Sequence, residues 1–351
     1  MKSQAIAGRL PPSDPSAFQD LAEPYRRELQ LHCYRMLGSI HDAEDAVQET
    51  FVRAWNGFGG YAAGEKAIRR WLYKVATNTC LNALAGRKRS RRLLTEHLGE
   101  AARDMPRGQP PSEVSWLEPY PDAYLEGIAD TSPGPPAHYE THEAVSFAFV
   151  AAIQHLPPRQ RAALLLCDVL GWTAAETAQL LDSTVASVNS ALQRARATLS
   201  KQPEAKPIAP ARLEEAQNAL LARYMQVWER MDIPGLAAIL RDDTMYSMPP
   251  WREWYSGREA IVEFFRWAWS SRAYGGFRLV PTRANGQPAF AVYSRTQEKD
   301  APWQPHSLHL LTMYGDGIAR LTLFVDPLGP SLFPAFGLPI EQPALNSEAG
   351  V

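Results

Sequence analysis

One stretch of the chain combines many cations with no anion. From Lys66 to Arg92 there are nine basic residues and no acidic residue, a local charge of +9. A block of positive charge this dense predicts a polyanionic partner. The stretch that follows, from Leu93 to Glu140, reverses the balance with nine acidic residues against two arginines, and it contains eight prolines. Because proline removes backbone donors and like charges repel, it is predicted to be an extended linker with little core of its own.

A second chemical pattern, at residues 173–199, is typical of a helix-turn-helix. Thr173 and Glu176 have the spacing of a capping box, and Thr184 offers a second N-cap. Apolar residues then recur at steps of three and four, at Val185, Val188, Leu192, Ala195 and Leu199. The other face carries polar groups and arginines that can reach base edges and phosphates. A solvated helix face is the alternative, because the turn at 182–184 lacks the glycine that such turns often contain.

The whole chain has the composition of a globular protein with several domains. Its 351 residues predict two or three folded units, and 45% hydrophobic residues with a net charge of −2 exclude a disordered or fibrous class. Neither an apolar run long enough for a membrane span nor a signal core is present, so a cytoplasmic protein without membrane contact is expected. Cys33, Cys80 and Cys167 have no metal-site or disulfide spacing, and neither a metal nor a cofactor is predicted.

Helices must position the basic block. Apolar spacing predicts a helix from residue 17 to 37, a second one that begins near Asp42, and a third one over Lys66–Arg89 with its basic residues on one face. A glycine-rich loop at residues 56–61 separates the second helix from the third. In the second helix, Phe51 is expected to pack in the core.

Three motifs in order along the chain carry a resemblance to a known family. They are Asp42–Trp55 (DAEDAVQETFVRAW), Trp71–Asn78 (WLYKVATN) and Leu156–Arg161 (LPPRQR), the last just before the helix-turn-helix. With them the chain resembles an extracytoplasmic-function RNA polymerase sigma factor of the sigma-70 superfamily. The resemblance implies an all-α region 2 at 17–92, a linker at 93–140 and an all-α region 4 at 141–202.

The resemblance also implies partners and contact residues. Region 2 would bind the β′ clamp helices of core RNA polymerase, through Asp45, Gln48, Glu49 and Arg53. It would also melt and read the −10 promoter element, with contacts from Phe58, Tyr61, Lys66, Arg69, Arg70, Trp71, Tyr73, Lys74, Asn78 and Asn82. Region 4 would touch the β flap and read the −35 element, with contacts from Thr184, Ser187, Asn189, Ser190, Gln193, Arg194 and Arg196.

Physical chemistry agrees with the −10 assignment, because strand capture needs cations beside aromatic rings. Core packing is the alternative for Trp71. In the −35 helix, Asn189 and Ala191 stand where the family often has arginine, so fewer phosphate contacts are expected. The linker cluster at 116–122 is aromatic enough to predict a specific contact, with polymerase or with the chain's own domains.

Residues 212–339 exceed what a minimal sigma factor needs. Three predicted helices, at 213–228, 234–240 and 258–269, precede four predicted strands, at 277–283, 289–297, 307–314 and 318–325. Helices followed by an antiparallel sheet predict an α+β unit. It resembles the SnoaL-like polyketide cyclase and ketosteroid isomerase group, whose curled sheet is closed by helices into a cone. Some sigma factors of the family carry such an extension, which regulates the sigma domains.

The sequence therefore predicts a promoter-recognising subunit and not an enzyme. Isomerase or cyclase chemistry needs a carboxylate base, often with a His or Tyr that polarises the carbonyl. No pattern identifies a catalytic group among the extension's candidates for these roles, which are Asp232, Asp242, Asp243, Asp326, His306, His309, Tyr246 and Tyr255. His306 and His309 are expected on opposite faces of a strand, which disfavours a shared metal. The extension's tryptophans are expected in the core, with a small-molecule pocket as the lesser alternative.

Two other classes of function remain as alternatives. One is a helix-turn-helix regulator that acts without polymerase, and the other is a SnoaL-like isomerase or cyclase fused to DNA-binding helices. The apolar, proline-broken tail is predicted to be non-helical and to dock through Phe333, Phe336 and Leu338 on another surface, with the sigma domains as the expected partner of this intramolecular contact.

Overall fold

The computed structural model describes residues 15–58, 65–86, 91–112, 114–128, 143–201, 214–270, 273–298 and 301–340. The chain divides into two compact units. The helical unit comprises the residues up to Arg92 together with Tyr124–Lys206, and the α+β unit comprises Leu93–Ala123 together with the residues from Pro207 onward. In the described ranges no helix is both long and apolar enough to cross a membrane.

Four helices form the first half of the helical unit. They are α1 (Pro15–Ala22), α2 (Arg26–Leu37), α3 (Ile40–Gly57) and α4 (Glu65–Ala85). The predicted helix over 17–37 is interrupted by a 3₁₀ turn at Glu23–Tyr25, because Pro24 has no amide to donate. Ser39 caps α3 by accepting a hydrogen bond from the Asp42 amide at 3.2 Å.

Four further helices form the second half of the unit. They are α5 (Phe147–Ile153), α6 (Pro158–Leu164), α7 (Ala174–Leu180) and α8 (Val185–Leu199), with a π-helical turn at Leu165–Val169. The predicted capping box at Thr173 and the predicted N-cap at Thr184 are both formed. The turn between α7 and α8 uses Asp182 at φ +47° where glycine is common, a conformation that Asp tolerates better than most residues. Val185, predicted to be buried, is 44% exposed because it lies in the first turn of α8.

A buried guanidinium joins the two halves of the helical unit. Arg161 is 1% exposed, and its five N–H groups donate to the Met36 carbonyl of α2 and to four oxygens of residues 153–156. Burial lowers the pKa of Arg161 to about 9, so the side chain still carries its charge at pH 7. Arg35 adds a bond from its Nε to the Ala144 carbonyl at 2.9 Å.

In its described residues, the α+β unit has four helices and a six-stranded sheet. Its helices are α9 (Glu214–Arg230), α10 (Ile233–Ile239), α11 (Arg258–Ser270) and α12 (Leu328–Leu332), and its strands are β1 (Leu240–Ser247), β2 (Trp254–Ser256), β3 (Gly276–Ala284), β4 (Gln287–Arg295), β5 (Gln304–Tyr314) and β6 (Gly317–Val325). The strand order is β2-β1-β6-β5-β4-β3. The four predicted strands are present, but β1 and β2 were missed, and β1 makes the sheet mixed because it runs parallel to β6.

A β-bulge changes where two histidines point. Val292 of β4 lies opposite Ser307, whereas Tyr293 lies opposite Pro305, so His306 is the extra residue on β5. A bulge breaks the alternation of faces along a strand. The prediction that His306 and His309 point to opposite faces is therefore wrong, since both rings hydrogen-bond the Ser307 hydroxyl at 2.8 Å.

The first part of the linker is an integral piece of the α+β unit, contrary to the expected extended connector. Its apolar side chains are buried at Leu94, Val114, Trp116, Leu117 and Tyr120. The backbone pairs with itself where the Leu93 amide donates to Ser115 and the Leu117 amide donates to Leu93. The segment is packed and not extended as predicted, because these apolar residues are interspersed among its charges and prolines.

The linker is held at two ends of the sheet. At the β3–β4 turn, the Tyr120 amide donates to the Asn285 side chain at 2.7 Å and the Asn285 amide returns a bond to the Tyr120 carbonyl at 2.9 Å. Asp122 accepts from the Gly286 amide at 2.8 Å. At the other end, the Trp254 indole donates to the Gly99 carbonyl at 3.0 Å.

Further contacts at the second end complete the docking. The Tyr255 hydroxyl donates to the Asp104 carbonyl at 3.0 Å, and the Ala102 amide donates to the Trp254 carbonyl at 2.7 Å. Arg320 of β6 forms a half-buried ion pair with Glu96. The contact predicted for the 116–122 cluster is thus made with the chain's own α+β unit.

The C-terminal tail packs on the same unit. It contains the short helix α12 followed by a 3₁₀ turn at Phe333–Phe336, so the expectation of a non-helical tail is wrong. Pro330 is tolerated because it lies in the first turn, where its missing amide has no helical acceptor. Phe333 is fully buried with its ring 5.1 Å from that of Tyr293, whereas Phe336 and Leu338 are half-buried.

Candidate functional site

The outward face of α3 is a row of exposed side chains. Asp45, Gln48, Glu49 and Val52 recur at helical spacing and are exposed, and Arg53 beside them pairs with Glu49 at 2.6 Å. The opposite face is buried, through Ala43, Ala46, Val47, Thr50 and Ala54. Val52 is 55% exposed. A row that mixes carboxylates with an exposed valine is a surface suited to a protein partner.

Two residues of α4 that were expected to contact a nucleic-acid strand have structural roles instead. Tyr73 is 1% exposed, with its ring 5.1 Å from that of His32 and 5.4 Å from that of Trp172, and burial raises its pKa. Arg69 forms a two-pronged ion pair with Glu28, with Nε–Oε1 at 2.9 Å and Nη2–Oε2 at 3.0 Å. The predicted contact of both residues with a nucleic-acid strand is corrected, because their polar atoms bind partners inside the helical unit.

Phe58 also belongs to the core. It is 7% exposed, and its ring centroid lies 5.2 Å from that of Phe18 and 6.3 Å from that of Trp71. The predicted role of Phe58 as a wedge between bases is therefore corrected to packing. Trp71 is half-buried beside it. Tyr61 lies outside the described residues, and so does the side chain of Lys66.

The other four predicted strand contacts form one stripe along α4. Arg70, Lys74, Asn78 and Asn82 are spaced four residues apart and are all exposed or half-buried. Residues at this spacing lie one above the other on a helix. In the row, called the α4 stripe below, two members have ion-pair partners within the helical unit, Arg70 with Glu176 and Lys74 with Asp182.

The recognition helix α8 presents most of its predicted residues to solvent. Ser187, Asn189, Ser190, Gln193 and Arg194 are all exposed. Arg194 donates to the Ser190 hydroxyl at 2.9 Å. The exposed Thr184 hydroxyl is the helix N-cap and accepts from the Ser187 amide at 3.1 Å.

Arg196 differs from the rest of this set. Its guanidinium makes two hydrogen bonds to the carboxylate of Asp168, at 2.9 and 2.7 Å, and Asp168 is only 3% exposed. A buried carboxylate needs such a partner. This ion pair ties α8 to the preceding π-helical turn, while the Arg196 side chain stays 48% exposed, so its contact with DNA remains a prediction.

A chain of hydrogen bonds runs through the interior of the α+β unit. The Tyr224 hydroxyl lies 2.8 Å from His309 Nδ1, His309 Nε2 lies 2.8 Å from the Ser307 hydroxyl, and that hydroxyl also contacts His306. His306 continues the chain to the Tyr274 hydroxyl at 3.3 Å. Burial lowers the pKa of His306 to about 4 and that of His309 well below its usual range, so both rings are neutral at pH 7.

Aromatic rings fill the space around this chain. The ring of Trp228 lies 4.5 Å from that of His309 and 5.4 Å from those of Phe265, Trp269 and Phe277. Trp228 thus packs in the core, as predicted for the extension's tryptophans, whereas Trp267 is 49% exposed, contrary to that prediction. A cleft of about 510 Å³ in this unit lies elsewhere, between linker residues 100–105 and Tyr255, Ala260 and Glu263. In the described residues no cluster of three or more ligating side chains could hold a metal ion.

Comparison with known proteins identifies all three parts of the chain. The Sigma-70 region 2 family matches residues 21–90, Sigma-70 region 4 matches residues 146–199, and the SnoaL-like domain family matches residues 221–321. The ECF RNA polymerase sigma factor SigG of Mycobacterium tuberculosis is 45% identical over 329 residues, which cover 92% of this chain and 84% of that protein. The chain belongs to the ECF RNA polymerase sigma factors.

Two further relatives support the assignment of the parts. The sigma factor SigW of Bacillus subtilis is 26% identical over 54% of this chain and 90% of its own length. The crystal structure of the M. tuberculosis sigma factor SigJ shares the fold, with a TM-score of 0.56 at 20% identity over 93% of this chain and all of that one. The predicted fold class, all-α sigma regions followed by an α+β SnoaL-like domain, is confirmed.

Sequence reasoning missed the acidic partners of the sigma factor's cations. Glu28 and Asp168 neutralise Arg69 and Arg196, and these partners lie 41 and 28 residues away along the chain. The signal available in the sequence was the apolar surrounding of Asp168, at Leu165, Leu166 and Val169, because a carboxylate in an apolar stretch needs a cation.

The structural role of Arg196 can be tested against its neighbour Arg194. Replacing Arg196 with Gln removes the charge that faces the buried Asp168 carboxylate, and we expect the free energy of unfolding to fall by about 1–3 kcal/mol. Arg194→Gln changes the same charge on the exposed face and is expected to leave stability within about 0.5 kcal/mol. Urea unfolding of both variants measures this, and equal losses would contradict the assignment.

The buried histidines predict acid sensitivity of the SnoaL-like domain. In the unfolded chain their pKa is about 6.5, whereas burial lowers the pKa of His306 to about 4 in the folded domain. Below pH 6.5 the unfolded state binds protons that the folded state does not, so stability is full above pH 6.5 and falls as the pH falls toward 4. Hydrogen-exchange protection of β5 at pH 7, 6 and 5, corrected for intrinsic exchange rates, should show this loss, and His306→Gln should make it shallower. An unchanged slope in the variant would refute the explanation.

Proposed function

We propose that this sigma factor binds core RNA polymerase through the exposed face of α3 and directs it to promoters. The observation that carries the proposal is the row Asp45, Gln48, Glu49 and Val52, exposed on a helix whose other face is buried. A regulator that acts on duplex DNA without polymerase would not need a polymerase-binding surface on α3. As a polymerase subunit, the protein would act in the cytoplasm.

The −10 contact is assigned to the α4 stripe. Arg70 and Lys74 supply cations, and Asn78 and Asn82 supply amides that can hydrogen-bond both bases and phosphates. Tyr61 and Lys66 remain part of the proposed contact. Arg69, Tyr73 and Phe58 are left out of it, since they stabilise the helices that carry the stripe.

The −35 contact is assigned to the exposed face of α8. Its members are Thr184, Ser187, Asn189, Ser190, Gln193, Arg194 and Arg196. Arg194 and the half-exposed Arg196 are the cations of this set, and the Arg196 guanidinium is already paired with the Asp168 carboxylate. We therefore expect a shallow salt dependence of region 4 binding, because each neutralised phosphate contributes about one unit to the slope.

The SnoaL-like domain is proposed to regulate and not to catalyse. The relative SigG, which matches most of the chain, is a sigma factor, and the polar groups around His309 are packed under Trp228 and neighbouring rings. Neither an isomerase nor a cyclase activity is proposed. A ligand for the domain remains a hypothesis, for which the cleft beneath the linker offers the space.

Regulation is proposed to act through the linker between regions 2 and 4. The linker ends are tied to the β3–β4 turn by Tyr120 and to β2 by Gly99 and Asp104. A linker held on the domain is not free to follow the polymerase cleft, as family members' linkers are understood to do. Docking by the SnoaL-like domain would thus restrain transcription, and release of the linker would relieve the restraint.

The polymerase surface can be tested by charge reversal. Asp45→Lys combined with Glu49→Lys should weaken binding to core RNA polymerase at least tenfold, because both side chains lie on the proposed contact face and reversed charges oppose a basic partner. The matched control is Asp20→Lys with Glu126→Lys, the same charge change at exposed positions elsewhere in the helical unit. Fluorescence anisotropy with labelled sigma factor measures the affinity. Equal affinity of the test and control variants would exclude the α3 face.

Linker docking can be tested by removing two hydrogen-bond donors. The variant Trp254→Phe with Tyr255→Phe loses the bonds to Gly99 and Asp104, so trypsin should cut the linker at Arg103 and Arg107 about three- to tenfold faster and promoter-specific transcription should rise. The control Tyr293→Phe loses a hydroxyl that donates to Pro339 in the same domain, away from the linker.

Two results would count against the linker proposal separately. Unchanged proteolysis would contradict the docking contacts themselves. Faster proteolysis with unchanged transcription would refute the regulatory role while leaving the docking intact.

A further inference from the structure

The N-terminal half of the recognition helix α8 carries no charge. Residues 185–193 (VASVNSALQ) contain neither an acidic nor a basic side chain, and the cations Arg194 and Arg196 follow in the second half. In a docked helix-turn-helix, the residues near the N-terminus of the second helix are those that contact base edges. The uncharged half is therefore the part of α8 that would lie closest to the bases.

Val185 is unusual in this half because it is apolar and yet exposed. It lies in the first turn of α8 and is 44% exposed. A branched side chain lowers helix propensity, and an exposed one adds little hydrophobic stabilisation, so the fold gains little from a valine here. In a helix, however, valine adopts mainly one rotamer, which holds its two methyl groups in a fixed direction before a partner binds. Such a stiff apolar group suits contact with an apolar group of the partner.

Two hydroxyls at this end of α8 are already engaged within the helix. The Thr184 hydroxyl accepts a hydrogen bond from the Ser187 amide at 3.1 Å. The Ser190 hydroxyl accepts one from the Arg194 guanidinium at 2.9 Å. Asn189 is exposed between them, and its side-chain amide offers both a donor and an acceptor. In the first two turns, the groups best suited to distinguish bases are thus the valine methyls and this amide.

The chemistry of base edges matches these two groups to A·T pairs. In the major groove an amide side chain pairs with adenine N6 and N7, and an apolar group contacts the thymine methyl. Guanine is read by arginine or lysine, and cytosine by a carboxylate. The uncharged half of α8 contains groups of the first two kinds and none of the other two.

We infer that Val185 and Asn189 set the specificity of region 4 by reading A·T pairs of the −35 element. Val185 contacts a thymine methyl, and Asn189 hydrogen-bonds adenine N6 and N7. The inference rests on the proposed −35 contact of α8. Four residues span about 6 Å of helix, and base pairs are stacked about 3.4 Å apart. The thymine and the adenine are therefore expected within about two base pairs of each other.

The base preference can be measured with the full chain bound to core RNA polymerase. A promoter that this holoenzyme transcribes is prepared with a randomised −35 element and a barcode in the transcribed region, so that the transcripts report which elements are used. We expect the enriched elements to share A·T pairs at fixed positions. A scrambled −35 element in the same promoter measures whether transcription depends on that element at all.

Base analogues then remove the two contacted groups one at a time. Deoxyuridine in place of thymidine removes the C5 methyl, and 7-deazaadenine in place of adenine removes the N7 acceptor, and both keep Watson–Crick pairing. At one thymine of the enriched element, deoxyuridine should lower transcription about two- to fivefold. At one adenine within about two base pairs of it, 7-deazaadenine should lower transcription about fivefold or more.

Two substitutions assign these losses to side chains. Val185→Ala removes the two γ-methyl groups and should abolish the deoxyuridine effect while keeping the 7-deazaadenine effect, and Asn189→Ala should do the reverse. Each variant is the matched control for the other analogue. Both positions are exposed and alanine favours a helix, so the fold should be retained, which thermal unfolding checks.

The outcomes separate the inference from the proposed −35 contact. Indifference to both analogues at every position, with transcription still dependent on the −35 element, would overturn the inference and leave the proposed contact intact. Losses of equal size in the unchanged protein and in both variants would overturn the assignment to Val185 and Asn189. Transcription that is indifferent to a scrambled −35 element would overturn the proposed contact itself and the inference with it. The crossed pattern supports both.

Discussion

The helical unit depends on one buried cation. Arg161 is placed where water cannot reach it, so each of its N–H groups must find a protein acceptor or leave a costly unpaired charge. Its acceptors come from the end of α2 and from the segment between α5 and α6. Satisfying this one side chain therefore requires the two sigma regions to meet. A further ion pair between the same regions joins Arg70 of α4 to Glu176 of α7.

The same rule sorts the cations of the protein into two classes. One class is bound to carbonyl oxygens or to buried and partly buried carboxylates, and it comprises Arg161, Arg69 and Arg196. Replacing any of these arginines is expected to lower the stability of the fold. Arg70, Lys74 and Arg194 lie at the surface, where water or another anion can replace their present partners. The second class can exchange its partners, as recognition of nucleic acid requires, and Arg196, whose side chain is 48% exposed, shares that surface position.

The sequence indicated most of the elements because their signals are local. Helix caps at Thr173 and Thr184, the periodicity of α3 and the Asn285-Gly286 turn depend on residues a few positions apart. What escaped prediction depends on distant partners. The pairing of Arg196 with Asp168, the bulge at His306 and the docking of Trp116 are set by tertiary contacts that no local pattern contains. β1 was missed for a related reason, since it follows α10 without a break and its residues 241–243 are all charged.

The family resemblance predicted the roles of the regions but not which of their residues are buried. It correctly implied regions 2 and 4 and the SnoaL-like domain, which the family matches confirm. Within region 2, however, burial of Tyr73 and Phe58 depends on how this chain packs α1 and α2 against α4. The site residues are accordingly a smaller set than the motif alone would give.

The docked linker has a consequence for how this protein can be divided or recombined. Val114, Trp116, Leu117 and Tyr120 are core residues of a domain that begins almost ninety residues later in the chain. A fragment that ends at region 4 would carry these apolar groups without the sheet that covers them, and the isolated SnoaL-like domain would lack part of its own interior. In the design of chimeric sigma factors, linker and domain therefore act as one unit, and a graft that exchanges one of them must exchange the other.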